Sequence, residues 1–241
     1  MNPADPRRVA FSILMALESG HYQLDQILEE IFETQGADLC IRDRGFVYAL
    51  VFGVLRHRCY VDWIIAAFSR QPVRKIKADV LNILRMGVLQ ICRMDRVPAS
   101  AAVNTSVELA KQRAPKWVAG YVNGLLRNVA RNPGGVAFPD PQREPIEAIS
   151  VTRSFPLWLV NMWADVLGFE ETDRLCEALN EIAPLTLRTN TLRTTREELM
   201  DALRPEAASL KPTPFALNGI HLYEARRSVP ELPGFKPGWF Q

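Results

Sequence analysis

The chain has 241 residues, 48% hydrophobic and 23% charged, which is enough apolar material for a folded core and excludes an intrinsically disordered chain. No run approaches the length of a membrane-spanning helix, and the polar start Met-Asn-Pro-Ala-Asp-Pro-Arg-Arg lacks the apolar core of a secretion signal, so no membrane contact is expected. The net charge of +2 hides a split: residues 1–135 carry 18 Lys and Arg against 12 Asp and Glu, residues 136–241 carry 11 against 15, and 42–131 alone carry 16 against 5.

The first 131 residues read as helices throughout. Asp5 is placed to cap a first helix with Pro6 at its first position. Val9, Ile13, Leu14 and Leu17 form its apolar face, and Gly20 can stop it. Leu24, Ile27, Leu28, Ile31 and Phe32 repeat the pattern, followed by Phe46, Leu50, Val51, Val54 and Leu55. Val61, Ile64, Ile65 and Phe68 mark a short fourth helix. Val80, Leu81, Leu84, Val88 and Ile91 mark a long fifth, apolar enough to be central. Val103, Val107 and Ala110 mark a sixth, and Pro115 can open a seventh carrying Val118, Val122, Leu125, Leu126 and Val129. Short loops and no convincing strand make residues 1–132 an all-α domain.

Asn132-Pro-Gly-Gly135 ends that pattern, and Pro133, Pro139, Pro141 and Pro145 make 133–145 a stiff linker. Residues 146–152, 156–167 and 170–182 are expected to be helical, with Trp158 and Trp163 packed at least partly inside. The period then changes. Leu185 to Leu192 alternates and is rich in threonine, as a strand would be. Thr194 or Thr195 can cap a helix with Glu197 or Glu198 completing the box, and Leu199 and Leu203 fall on its buried side. Pro212 and Pro214 interrupt the next segment, and Gly219-Ile-His-Leu-Tyr223 is a short strand. Residues 146–241 therefore read as a small α+β domain.

No catalytic constellation stands out. There is no Gly-rich dinucleotide or phosphate loop and no zinc-protease motif. His21, His57 and His221 lie on separate elements with no Ser or Cys at triad-like spacing. Cys40, Cys59, Cys92 and Cys176 are far apart with no C-x-x-C pair, which argues against a disulfide frame or a zinc site and for buried thiols in a reducing cytoplasm. The basic clusters carry more information. Arg7 and Arg8 sit in a first helical turn, where the dipole disfavours cations unless something anionic compensates. Arg42, Arg44, Arg56 and Arg58 bracket the third helix. Arg70, Arg74, Lys75 and Lys77 surround one turn, and Lys111, Arg113 and Lys116 another. Such groups suit phosphate and unpaired bases, or form a solvated helical surface with local pairs such as Arg42-Asp43.

Several segments together resemble a known family. Arg42-Asp-Arg-Gly-Phe-Val-Tyr-Ala-Leu-Val-Phe-Gly-Val-Leu-Arg56 resembles the D-R-x-F and L-V-x-G-V-L-R signature of NusB-like RNA-binding domains. More narrowly, it is similar to the version fused to RsmB-type (Sun/Fmu) 16S ribosomal RNA cytosine-C5 methyltransferases. Leu84-Arg-Met-Gly-Val-Leu-Gln-Ile91, the stretch from Val97 to Lys111 and Tyr121-Val-Asn-Gly-Leu-Leu-Arg-Asn128 come next, in the family's order. Pro184-Leu-Thr-Leu-Arg-Thr-Asn-Thr-Leu-Arg193 resembles the R-x-N strand of the second domain, which brings Arg188 among the candidate RNA contacts. Asn104 stands where the family often has an acidic residue.

The resemblance implies a NusB-like all-α domain followed by a small α+β domain, with small-subunit ribosomal RNA as partner. It also implies a protein partner as a second use of the NusB-like domain, as in an interaction or antitermination module. In that family the region matching Trp239-Phe-Gln241 leads into a domain that binds S-adenosylmethionine and holds two cysteines, in Pro-Cys and Thr-Cys motifs. One attacks cytosine C6 and the other helps release product. None of the four cysteines here lies in either motif. The expectation is therefore no catalytic residue, no cofactor-binding residue and no metal ligand in this chain, and no activity from it alone.

Overall fold

A computed structural model describes residues 5–20, 23–113, 115–132 and 134–241; His21, Pro133 and residues 1–4 lie outside them. Seven helices come first: α1 (Pro6–Glu18), α2 (Leu24–Thr34), α3 (Ile41–Arg56), α4 (Arg58–Phe68), α5 (Ala78–Arg93), α6 (Ala99–Arg113) and α7 (Lys116–Arg131). Asp5 caps α1 by accepting from the Arg7 amide at 3.0 Å, and Gly20, at φ 69°, lies past its end. α5 is the core helix, with every residue from Val80 to Gln90 buried. Two glycines permit this. A Cβ on Gly53 of α3 would stand 2.7 Å from Leu89, and one on Gly87 would stand 2.6 Å from Leu126 of α7.

A helix buried on all sides must satisfy its polar side chains internally. Arg85 does so with a carboxylate clasp. Its Nε and Nη2 each donate to Asp62 of α4 at 2.7 Å, and its Nη1 donates to Glu18 of α1 at 3.3 Å and to Asn82 at 3.0 Å. Gln90 accepts from Arg7 Nε at 2.8 Å and donates to the Met86 carbonyl at 2.9 Å. Helices α1 and α4 are thus tied to α5 by polar contacts that a hydrophobic pattern does not reveal.

Three further helices follow: α8 (Pro145–Arg153), α9 (Leu157–Leu167) and α10 (Phe169–Asn180). They belong to the same compact unit as α1–α7, Met1–Asn180, while Glu181–Gln241 forms a second unit. The attachment is specific. Ser154, in the left-handed conformation at φ 64°, accepts from the Cys59 amide at 2.8 Å and the Tyr60 amide at 3.3 Å, so a residue after α8 caps the start of α4. Part of the Pro-rich stretch lies along α4: Phe138 stacks on Tyr60 at 5.6 Å, and Trp63 Nε1 donates to the Ala137 carbonyl at 3.1 Å. Arg153 clasps α10 through Asp173 at 2.7 and 2.8 Å and Glu177 at 2.8 Å. One expectation fails here. Trp163 packs edge-on to Phe155, but Trp158 is 68% exposed. Five residues of helix are about 140° of rotation, so the two indoles cannot share the face that buries Val160.

The second unit holds β1 (Leu185–Arg188), α11 (Arg196–Leu203), β2 (Ala207–Pro212) and β3 (Gly219–Ala225). The sheet runs β1-β3-β2 with both pairings antiparallel, Leu185 opposite Leu222 and Ser209 opposite Tyr223. Leu187, Ile220 and Leu222 pack against Leu199 and Leu203 of α11. Of the two candidate caps, Thr195 is the one used: it accepts from Glu198 N at 3.2 Å, and Glu198 accepts from Thr195 N at 2.9 Å.

Candidate nucleic-acid interface

Two basic stretches far apart in the sequence converge within the first unit. The turn between α4 and α5 carries Arg70, Arg74, Lys75 and Lys77, and it is anchored by buried Ile76. The turn between α6 and α7 carries Lys111, Arg113 and Lys116. Ser69 Oγ shares a 2.9 Å hydrogen bond with Tyr121 OH, which fastens the first turn to α7. Lys75, Lys77 and Arg113 line a groove of 270 Å³ with Trp117 and Tyr121 in its wall. Arg70 lines an adjoining groove of 470 Å³ that shares Trp117 and Tyr121 and runs past Gly120, Gly124 and Asn128. Lys111 and Lys116 meet around a third hollow with Asn104 and Asn123.

The charge of this face is only partly neutralised. Lys111 pairs with Glu108 at 2.6 Å, and the Asp79 carboxylate accepts from the Val80 amide at 2.8 Å. Among the described residues Arg74, Lys75, Lys77, Arg113 and Lys116 make no ion pair. Arg113 also lies over the Phe11 ring at 5.6 Å, which leaves its edge open while holding its plane. Exposed Lys and Arg beside an exposed aromatic form a surface that attracts phosphate and offers a face for a base.

The other candidate cations are placed differently. The Arg7 guanidinium is half-buried, bonded to Gln90 and 4.8 Å from the Phe46 ring centre; desolvation draws its pKa down, with Asp5 opposing. The Arg7 guanidinium is thus engaged by neutral partners within the domain, while Arg8 is exposed. Arg44 donates to the Leu39 carbonyl at 3.3 Å and lies over Phe32, whereas Arg42 is exposed. Arg58 meets Glu18 at 3.8 Å, and Arg56 is half-buried beside Phe52 and Leu55. Arg188 belongs to the second unit, where its backbone pairs with Gln241 at 2.8 and 3.1 Å. Asn190 donates to the Gly238 carbonyl at 2.9 Å and Arg193 donates to that of Pro237, so the R-x-N segment clasps residues 237–241.

The nucleophile candidates are quiet. Burial pushes the Cys59, Cys92 and Cys176 thiols up, which disfavours the thiolate. Cys40 departs from the expected buried thiol and is exposed just before α3. His57 is held towards its neutral form by burial and then by Arg93 and Arg56, and its Nδ1 is buried without a partner. Among the described residues no group of three His, Cys, Asp or Glu converges as a metal site requires, and no helix is long and apolar enough to cross a membrane. Trp117 is only faintly marked in the sequence. Its one visible signal is phase, since it lies off the stripe of Val118, Val122, Leu125 and Val129.

The NusB family pattern matches residues 4–131. The chain belongs to the NusB family. The pattern described as the Methyltr_RsmF/B-like, ferredoxin-like domain matches residues 155–229, so this NusB-type region is followed by the second module of RsmB-type proteins. The chain is 30% identical over 223 residues to the probable ribosomal RNA small subunit methyltransferase B of Bacillus subtilis, covering 92% of this chain and 48% of that protein. It is 33% identical over 239 residues to the protein of the same description from Synechocystis, covering 97% and 52%. The chain thus spans about half the length of the curated relatives it matches. The crystal structure of PH0851 superposes with a TM-score of 0.66 at 16% identity, covering 100% of this chain and 53% of that one, which shows a shared fold.

Proposed function

We propose that this chain binds RNA as the substrate-recognition region of an RsmB-type ribosomal RNA cytosine-C5 methyltransferase. The observation that carries this is the meeting of Lys75 and Lys77 with Arg113 in one groove, beside a second groove lined by Arg70 that shares Trp117 and Tyr121. Small-subunit ribosomal RNA is the partner that the relatives' descriptions favour. The functional division we propose is a NusB-like region 1–132, a linker 133–145 and a small α+β region 146–241; two patterns, matching 4–131 and 155–229, support a division into two regions. The work is the cytoplasmic handling of a polyanion. Lys75, Lys77, Arg113 and Lys116 supply salt-dependent phosphate attraction, and the second region helps to present the target base to a methyltransferase domain.

S-adenosylmethionine is the methyl donor that this reading implies. Among the described residues the strands pair only antiparallel and no parallel βαβ unit with a glycine-rich turn is formed, so these residues do not fit that cofactor and no step is assigned to them. Residues 1–241 hold substrate and do not by themselves transfer a methyl group.

The test is binding of a small-subunit ribosomal RNA hairpin to the full chain at rising salt. Affinity is expected to fall with log salt, and Lys75→Glu/Lys77→Glu/Lys116→Glu is expected to flatten that slope by about 2. Affinity indifferent to salt, or a triple variant that binds like the parent, would sink the proposal. Arg7→Ala should change binding little, because that cation is spent on Gln90 and Phe46.

A further inference from the structure

Trp117 is not part of the hydrophobic core. It sits in the first turn of α7, and 72% of its surface is open. A lone exposed apolar side chain needs no explanation, but the surroundings of this one are specific. It separates two grooves, with Lys75, Lys77 and Arg113 on one side and Arg70 on the other, and Lys116 directly precedes it. Among the described residues no aromatic ring stacks on it. Tyr121, one turn on, is held by Ser69, so the wall between the grooves is fixed. Gly120 and Gly124 follow on the same side, and nothing lies within 4 Å of where a Cβ on either would stand. The floor beside the indole is therefore bare helix backbone, open to a flat group.

We propose that Trp117 is a stacking platform for an unpaired RNA base, with the phosphates on either side of that base met by Lys75, Lys77 and Arg113 and by Arg70 and Lys116. This rests on the RNA-binding reading above and narrows its substrate class. The chain takes RNA that offers an unpaired nucleotide, in a single strand, loop or bulge, in preference to continuous duplex. In a duplex each base face is covered by the next pair, so an indole meets only edges and backbone. An unpaired base exposes its ring faces, and stacking on them is tolerant of sequence. The flanking cations decide between ligands. They complement a phosphate on each side of the ring, whereas a purely apolar protein contact leaves them without partners.

The experiment compares a short labelled single-stranded RNA with the same strand annealed to its complement, each titrated with the full chain at one salt concentration. The parent is expected to favour the single strand. Trp117→Leu is expected to weaken single-strand binding by about 5- to 150-fold and duplex binding hardly at all, while Trp117→Phe keeps most of the affinity. Circular dichroism of each variant checks that the helix content of the parent is retained. Equal loss on both RNAs, or no loss on the single strand, overturns the stacking role. If Lys75→Glu/Lys77→Glu binds both RNAs like the parent, the RNA-binding reading itself has failed. Loss in the lysine variant without selective loss in Trp117→Leu keeps that reading and removes only this inference.

Discussion

Replacing Asp62 by Ala removes the main counter-charge of Arg85. The Arg85 side chain is 5% exposed, and Asp62 receives both arms of its fork at 2.7 Å. Breaking one side of a buried pair costs about 3–5 kcal/mol, because the remaining charge stays buried without compensation. Glu18 still lies 3.3 Å from Arg85, so the low end, about 3 kcal/mol, is expected. With a urea dependence of about 2 kcal/mol per molar, the unfolding midpoint should fall by about 1.5 M. Urea titration followed by far-UV circular dichroism measures this directly. The reverse change, Arg85→Met, should cost less, since Asp62 is partly exposed and can turn to water. Joining the two in Asp62→Ala/Arg85→Met should recover much of the loss, because no buried ion is left unpaired. An Asp62→Ala midpoint indistinguishable from the parent, or a double variant no better than Asp62→Ala, would refute the claim that Arg85 depends on this clasp.

Ser154→Ala leaves the Cys59 and Tyr60 amides without their shared acceptor and should cost about 1–2 kcal/mol in the same titration. Hydrogen bonds from Arg153 hold the Asp173 carboxyl below its ordinary range, so the stability it contributes is present above the unfolded pKa of about 4 and is lost as pH falls through the lower folded value. Acid titration should show this loss below about pH 4, and Asp173→Asn should abolish it. Gly120→Ala adds a methyl into open space on a helix and should raise stability by up to about 1 kcal/mol, read as a higher unfolding midpoint.

Most helices of the first 131 residues were legible because they bury one face and a 3.6-residue period survives in the sequence, while α5, buried on all sides from Val80 to Gln90, was legible from its apolar density. The caps at Asp5 and Thr195 were legible for a related reason, since each bonds within its own first turn. β2 was not. Pro212 suggested an interruption, yet it ends an edge strand opposite Ile220, a position where a missing amide donor is tolerated. Arg85 was invisible as a buried group because a charged residue reads as surface until Asp62 is brought to it from another helix. The candidate site divides in the same way. Each basic turn could be seen in the sequence, but their meeting around Trp117 is tertiary, and the clasp of Asn190 on Gly238 joins residues 48 positions apart.

The hydrogen bond from the Cys59 amide to Ser154 spans 95 residues. It makes the autonomy of the helical region a matter of degree. A fragment cut at residue 132 would keep all seven helices and yet begin α4 with two bare amides. It would also shed the ring that Phe138 lays on Tyr60 and the carbonyl that Ala137 offers Trp63. The stability of α4 is thereby linked to the placement of α8, through contacts that lie beyond the end of the family pattern at residue 131.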